Sequence, residues 1–152
     1  MRSWVSLAGF VLLAFAAGFV GSRFLPGDWY EGLTKPSFNP PNSVFAPVWS
    51  VLYLLMGIAA WRAWRSRGLD AATGLWLAQL VLNAAWSWLF FGRHLLAWAL
   101  VDIVALLALI VATTIAFFRR DRAAGWLMAP YVAWVGFATL LNAALWQLNP
   151  GA

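Results

Sequence analysis

Cysteine is absent from all 152 residues, and histidine occurs once, at His94. The first absence excludes disulfides, thiolate nucleophiles and cysteine-ligated metals. The second leaves no metal site, since one imidazole does not hold an ion alone. Charge is scarce as well. Five acidic and ten basic side chains make up 10% of the chain, against about 25% in an ordinary soluble domain. No nucleophile–base pair, phosphate-binding glycine loop or metal-spaced cluster is visible. Conventional acid–base enzymology therefore has no residues to rest on, and no catalytic set is assigned from chemistry of that kind.

What the chain has instead is apolar surface: 64% of its residues are hydrophobic, and the mean hydropathy is +0.78. A particle of 16.8 kDa has too little interior to hide that much apolar side chain. Lipid must act as part of its solvent. The net charge of +5 comes from Lys and Arg spread thinly between apolar runs rather than along one helix face. This pattern fits loop charges that set membrane orientation, with no nucleic acid as partner.

Five stretches reach the roughly 20 apolar residues that a membrane-spanning helix needs: Trp4–Gly21, Ser43–Trp61, Thr73–Phe91, Leu95–Phe118 and Ala123–Trp146. The expected fold is an all-α, five-helix transmembrane bundle forming one domain over residues 1–152. Arg2 followed by an apolar run also has the look of a secretory signal peptide, but the run is long for one and four more spans follow. Breaks fall where punctuation does. The segment from Arg23 to Asn42 holds Pro26, Gly27, Pro36, Pro40 and Pro41, and Gly92-Arg93-His94 is short enough to make spans three and four antiparallel neighbours. Arg2, Arg62, Arg65, Arg67, Arg119, Arg120 and Arg122 share one side of the membrane, while Arg23, Lys35 and Arg93 share the other. Seven against three places the N-terminus in the cytoplasm if the protein resides in a bacterial inner membrane; an outer or organellar membrane would break that inference.

Polar groups inside the spans are few, and each is costly in hydrocarbon. Gln79 and Asn83 stand four apart on one face of the third span, Asn142 lies late in the fifth, and Asp102 lies about two turns into the fourth. Amides of this kind commonly tie helices together; Asp102 needs a partner or a wet cavity. Twelve tryptophans are the unusual feature. Trp4, Trp29, Trp61, Trp64 and Trp146 sit at span ends, as an interfacial belt requires. Trp49, Trp86, Trp98 and Trp134 lie nearer mid-span, where flat rings with an N–H suit either helix packing or a planar ligand. Gly74 and Ala78 form a small-xxx-small pair on the third span, a pattern that allows close helix approach.

The block Trp29-Tyr30-Glu31-Gly32-Leu33-Thr34-Lys35-Pro36-Ser37-Phe38-Asn39-Pro40-Pro41, followed by Val44-Phe45-Ala46-Pro47-Val48-Trp49 and Tyr53, resembles the translocator protein family, also called tryptophan-rich sensory proteins or peripheral benzodiazepine receptors. The likeness continues through Gln79 to Asn83, Trp86, Phe90-Phe91-Gly92, Trp98 to Asp102, Pro130 to Trp134 and Phe137 to Asn142, and so covers essentially the whole chain. It implies a dimeric five-helix bundle with a ligand pocket capped by the first loop, binding porphyrins such as protoporphyrin IX or benzodiazepine-type drugs. No cofactor is required beyond porphyrin as ligand. On the matching positions Trp49, Trp98 and Trp134 would line the pocket, with Asn83, Trp86 and Asp102 nearby and Ala138 and Leu141 as apolar wall. The Gly74/Ala78 pair falls where the family places a dimer contact.

Two departures matter. Many members carry Trp where this chain has Phe38. The cholesterol pattern of animal members needs a tyrosine and a basic residue where Ala143 and Gln147 stand, so cholesterol transport is not expected. Three readings follow from the resemblance and the residues together: a membrane binding protein or sensor for tetrapyrroles, affecting their levels or transport; light-dependent oxidative breakdown of a bound porphyrin, with Trp49 and Trp134 as redox partners; and a structural scaffold.

Overall fold

A computed structural model describes residues 2–24 and 26–150, apart from the side chains of Arg2 and Arg67, so these two members of the basic set lie outside the described residues. Six α-helices follow one another: α1 (Arg2–Ser22), α2 (Asp28–Glu31), α3 (Asn42–Arg67), α4 (Ala71–Ser87), α5 (Leu96–Phe118) and α6 (Arg122–Leu148). A single π-helical turn, Trp88–Gly92, extends α4. Five of these helices are long and apolar enough to cross a membrane. They coincide with the five expected spans; four are a few residues longer, and the fourth begins one residue later, at Leu96. The short α2 inside the first loop was not expected.

The spans form a ring. α1 packs on α3, α3 on α6, α6 on α5, α5 on α4, and α4 back on α1. Sequential neighbours are thus not always the closest-packed ones: α3 and α4 meet through side chains with little backbone approach, and α6 separates α3 from α5 around most of the circumference. The main core contains Met56, Trp76, Ile103, Leu106, Ile110, Phe117, Met128, Tyr131 and Val135. α1 is the least buried span, with only Ala14 and Ala17 in that core. It is held by close approach: a Cβ on Gly57 would lie 2.7 Å from Val11 Cα, and one on Gly18 would lie 2.6 Å from the Tyr53 ring. Gly74 and Ala78 face outward on α4, and a Cβ on Gly74 would meet nothing within 4 Å.

The basic end of the ring is fastened by two clasps, each built on a helix cap. Asp70 caps α4 by accepting from Ala72 N, and Thr73 completes the capping box. The same carboxylate accepts from Arg120 Nε at 2.8 Å and Nη2 at 2.6 Å. Asp121 caps α6 by accepting from Ala123 N at 2.9 Å, and also accepts from Arg62 Nε of α3 at 3.1 Å. Helix starts and helix neighbours are therefore set by the same carboxylates, Oδ1 capping the helix and Oδ2 taking the shorter arginine bonds.

Arg120 hydrogen bonding holds the Asp70 carboxyl below the usual carboxylate range, outweighing the opposing desolvation. Because the folded form binds its proton less readily than the unfolded chain, the clasp contributes in full above the ordinary value of 3.8. That contribution is lost as pH falls through the lower, folded value. Acidification from pH 5 to 3 is expected to lower the unfolding midpoint, and Asp70→Asn should flatten that part of the profile. An unchanged slope in the variant would remove the clasp from the explanation.

Candidate functional site

At the end of the ring opposite the clasps, the first loop folds over the helices. Tyr30 of α2 is 2% exposed and packs on Phe90 and Phe91. Burial raises the Tyr30 hydroxyl above its ordinary range; its hydrogen bond to Asn39 Oδ1 (3.3 Å) acts the other way, and nearby Glu31 adds to the rise. Trp29 stacks on His94 with ring centres 4.3 Å apart and planes 6° from parallel. His94 holds φ at 58°, an uncommon left-handed conformation for a residue with a side chain, in the turn between α4 and α5. A third attachment comes from far along the chain. Asn149 accepts from Thr34 N at 2.9 Å and donates Nδ2 to Thr34 O at 2.8 Å. Asn149→Ala removes both bonds. At about 1 kcal/mol each, amide exchange around residues 30–38 is expected to quicken about tenfold or more; unaltered exchange would mean the loop is held elsewhere.

Beneath this loop lie two cavities. The larger, about 700 Å³, is a cleft between α1, α3 and α4, walled by Phe15 and Phe19 of α1, Phe45, Trp49 and Tyr53 of α3, and Asn83, Trp86 and Phe91 at the end of α4. The smaller, about 20 Å³, lies toward α6, bounded by Trp134, Ala138, Leu141 and Asn142 as well as Tyr30. It has room for about one water molecule. Phe45, Trp49, Trp86 and Phe91 border both spaces, so four aromatic rings form the partition. The π turn explains how Phe90 and Phe91 both reach inward: Arg93 N donates to Trp88 O and Leu95 N to Leu89 O, which widens the helix end there.

Behind the aromatic wall runs one chain of side-chain hydrogen bonds. Tyr53 donates to Asn83 Oδ1 (2.6 Å), Asn83 Nδ2 donates to Tyr131 Oη (2.7 Å), and Tyr131 donates to Gln79 Oε1 (2.7 Å). Gln79 Nε2 ends the chain on Met56 Sδ at 3.9 Å. Three helices, α3, α4 and α6, are thereby joined in one register. A second pair completes the polar inventory: Trp86 Nε1 donates to Asn142 Oδ1 (3.0 Å), and Asn142 Nδ2 donates to Leu96 O (3.0 Å). Trp49 stacks on Tyr53 at 5.6 Å and meets Trp134 edge-on at 6.4 Å. The Trp134 Nε1 is buried with no hydrogen-bond partner.

Of the residues singled out in the sequence, Trp49 and Trp86 border both cavities, Asn83 borders the cleft, and Trp134, Ala138 and Leu141 border the inner space. Trp98 and Asp102 border neither. Trp98 is 63% exposed on the outside of α5, and Asp102 is half-buried one turn on, with Oδ2 buried and unpartnered. Several wall residues were not foreseen as site residues: Phe15, Phe19, Phe45, Tyr53 and Phe91. Tyr53 was within reach of sequence reasoning, four residues after Trp49 and hence on the same helical face. The α1 residues carried no such signal.

An aromatic intramembrane cleft under a pinned extramembrane loop, in a ring of five spanning helices, defines a multi-pass membrane protein with an internal aromatic cavity. The chain belongs to the TspO/MBR family, whose model matches residues 10–147. It is 41% identical to the human translocator protein, over 97% of this chain and 92% of that protein. It is 42% identical to the tryptophan-rich protein TspO of Chlorobaculum tepidum, over 96% of this chain and 97% of that one. To the tryptophan-rich sensory protein of Cereibacter sphaeroides the identity is 37%, over 96% and 92%.

Proposed function

We propose that the chain binds a flat, mostly apolar tetrapyrrole such as protoporphyrin IX in the cleft between α1, α3 and α4, and that binding serves to sense the pigment or adjust its level. The observation that carries this reading is the cleft itself. Its volume of about 700 Å³ lies within the roughly 300–1,000 Å³ of small-molecule sites, and its walls are aromatic faces with few polar groups. Such walls suit a planar macrocycle by stacking. Benzodiazepine-type compounds have the same flat, apolar character and are expected to compete. Self-association through the outward Gly74/Ala78 face of α4 belongs to the same proposal.

The test is quenching of tryptophan fluorescence in purified protein by protoporphyrin IX in the dark. Saturable quenching at one pigment per chain, unaffected by Trp4→Phe, is expected. Linear quenching without a plateau would mean that the pigment only partitions into detergent, and the binding reading would fall.

One observation favours a second reading, light-dependent oxidation of the bound pigment by molecular oxygen. Trp49 borders the cleft and touches Trp134 edge-on, so an indole pair leads away from the pigment and is able to share a radical. If this reading holds, replacing both by phenylalanine preserves dark binding and abolishes the light-dependent product. Normal product formation in that double variant would sink it.

A further inference from the structure

The basic end holds a second concave site, unrelated to the aromatic cleft. A recess of about 330 Å³ is lined by Arg62, Arg65 and Ser66 of α3 and by Arg120 and Asp121 of the α5–α6 turn. We propose that it receives the phosphate of an anionic glycerophospholipid headgroup, such as phosphatidylglycerol.

The argument begins with which charges are already used. Arg120 is largely committed: Nε and Nη2 donate to Asp70 and Nη1 donates to Ala116 O, which leaves one N–H on each Nη. The Asp121 carboxylate is saturated too, accepting from Arg62 Nε and Nη2 and from the backbone N–H groups of Ala123 and Ala124. An incoming anion therefore meets no bare carboxylate. The freest donors are Nη1 of Arg62 and the guanidinium of Arg65, which among the described residues has no carboxylate partner. Three arginines against Asp70 and Asp121 leave one net positive charge. Arg119 and Arg122, which among the described residues also lack a carboxylate partner, add two more in the same turn of the chain.

Depth decides in favour of lipid over a soluble phosphate. The recess opens at the ends of spanning helices, where headgroups lie. Arg65 rests over the Trp61 ring at 4.6 Å, which places its charge at the level of an indole, and Trp126 near the start of α6 is 65% exposed. Tryptophan at a span end marks the interface between hydrocarbon and water. Fixed guanidinium groups at that level face lipid phosphates continuously, and arginine matches phosphate with paired donors. Basic recesses between spanning helices are suited to acidic headgroups for this reason.

Lipid binding to the purified protein, followed by native mass spectrometry, tests the assignment. Phosphatidylglycerol and phosphatidylcholine of identical chains are titrated separately, then with millimolar inorganic phosphate as competitor. One phosphatidylglycerol per chain is expected to bind at least about tenfold more tightly than phosphatidylcholine, undisturbed by inorganic phosphate. Arg65→Gln should weaken that binding about fivefold, the scale for one basic side chain at a membrane surface. Arg119→Gln, which removes the same charge outside the recess, should weaken it less than twofold. Among the described residues Arg65 belongs to no ion pair, so the variant, which loses the contact over Trp61, is expected to nearly keep its unfolding midpoint. Equal losses in the two variants would replace the site by a diffuse field. Equal affinity for the two lipids would remove it altogether, and displacement by inorganic phosphate would make it a site for a free anion.

Discussion

Gly57→Val is expected to lower stability by about 3 kcal/mol or more, the upper end of the usual overpacking cost. At Gly57 the first atom of any side chain would meet Val11 Cα at 2.7 Å, Val11 N at 3.1 Å and Val11 Cγ2 at 2.9 Å. Two of these are backbone atoms that no rotamer change removes. α1 must therefore move away from α3 as a body. Only Ala14 and Ala17 of that helix are buried in the core, and the ring contacts of Phe10 with Trp64 and Trp76 and of Phe15 with Tyr53 would be lost with the shift. Gly9, on the same helix, provides the contrast. A Cβ there meets nothing within 4 Å, so Gly9→Ala should gain up to about 1 kcal/mol from helix propensity alone. Thermal unfolding of both variants in one detergent checks the pair. If Gly57→Val keeps the wild-type midpoint, close helix approach is not what anchors α1. Since α1 also contributes Phe15 and Phe19 to the cleft, pigment binding should fail alongside stability.

Trp49→Ala carries the largest expected effect on binding. Trp49 borders both cavities and makes ring contacts with Tyr53, Tyr131 and Trp134. Its removal deletes one broad stacking face and merges the two spaces. Burial of an aromatic side chain is worth about 1.5–3 kcal/mol, so protoporphyrin IX should bind roughly ten- to hundredfold more weakly. Trp98→Ala is the informative partner experiment, because Trp98 lies outside both cavities and is 63% exposed. The geometry predicts a change of less than about twofold, whereas the family resemblance implies a pocket role. Equal losses in the two variants would place the ligand across α5, outside the cleft.

These two tryptophans also show where sequence reasoning stops. Both are indoles set in apolar helical sequence, Trp49 in the third turn of α3 and Trp98 in the first turn of α5. Which way each points depends on helix rotation, and a span that is apolar on every side carries no periodicity to fix it. The existence of the five spans was legible for the opposite reason: length and continuous hydrophobicity are demanded by the bilayer itself. Their ring order was not, because α3 and α6 are brought together by Arg62 and Asp121, 59 positions apart. The caps at Asp70 and Asp121 have recognisable local chemistry, but the arginines that share them do not announce their partners. In the same way Gln79 and Asn83 were readable as helix-joining amides, while the tyrosine hydroxyls they join came from two other spans. The π turn leaves no pattern at all, since one extra residue in a helical turn is a matter of Arg93 N reaching the carbonyl five residues back, at Trp88, rather than of composition.

The bond pair between Thr34 and Asn149 has a consequence for how the protein is made. Its two members are separated by 115 positions, and Thr34 emerges from the ribosome long before Asn149 does. Throughout synthesis and insertion of the later spans, this attachment of the first loop has no counterpart to grip. The loop over the cleft is therefore born without its last fastening, and the cleft is more loosely covered during biogenesis than afterwards.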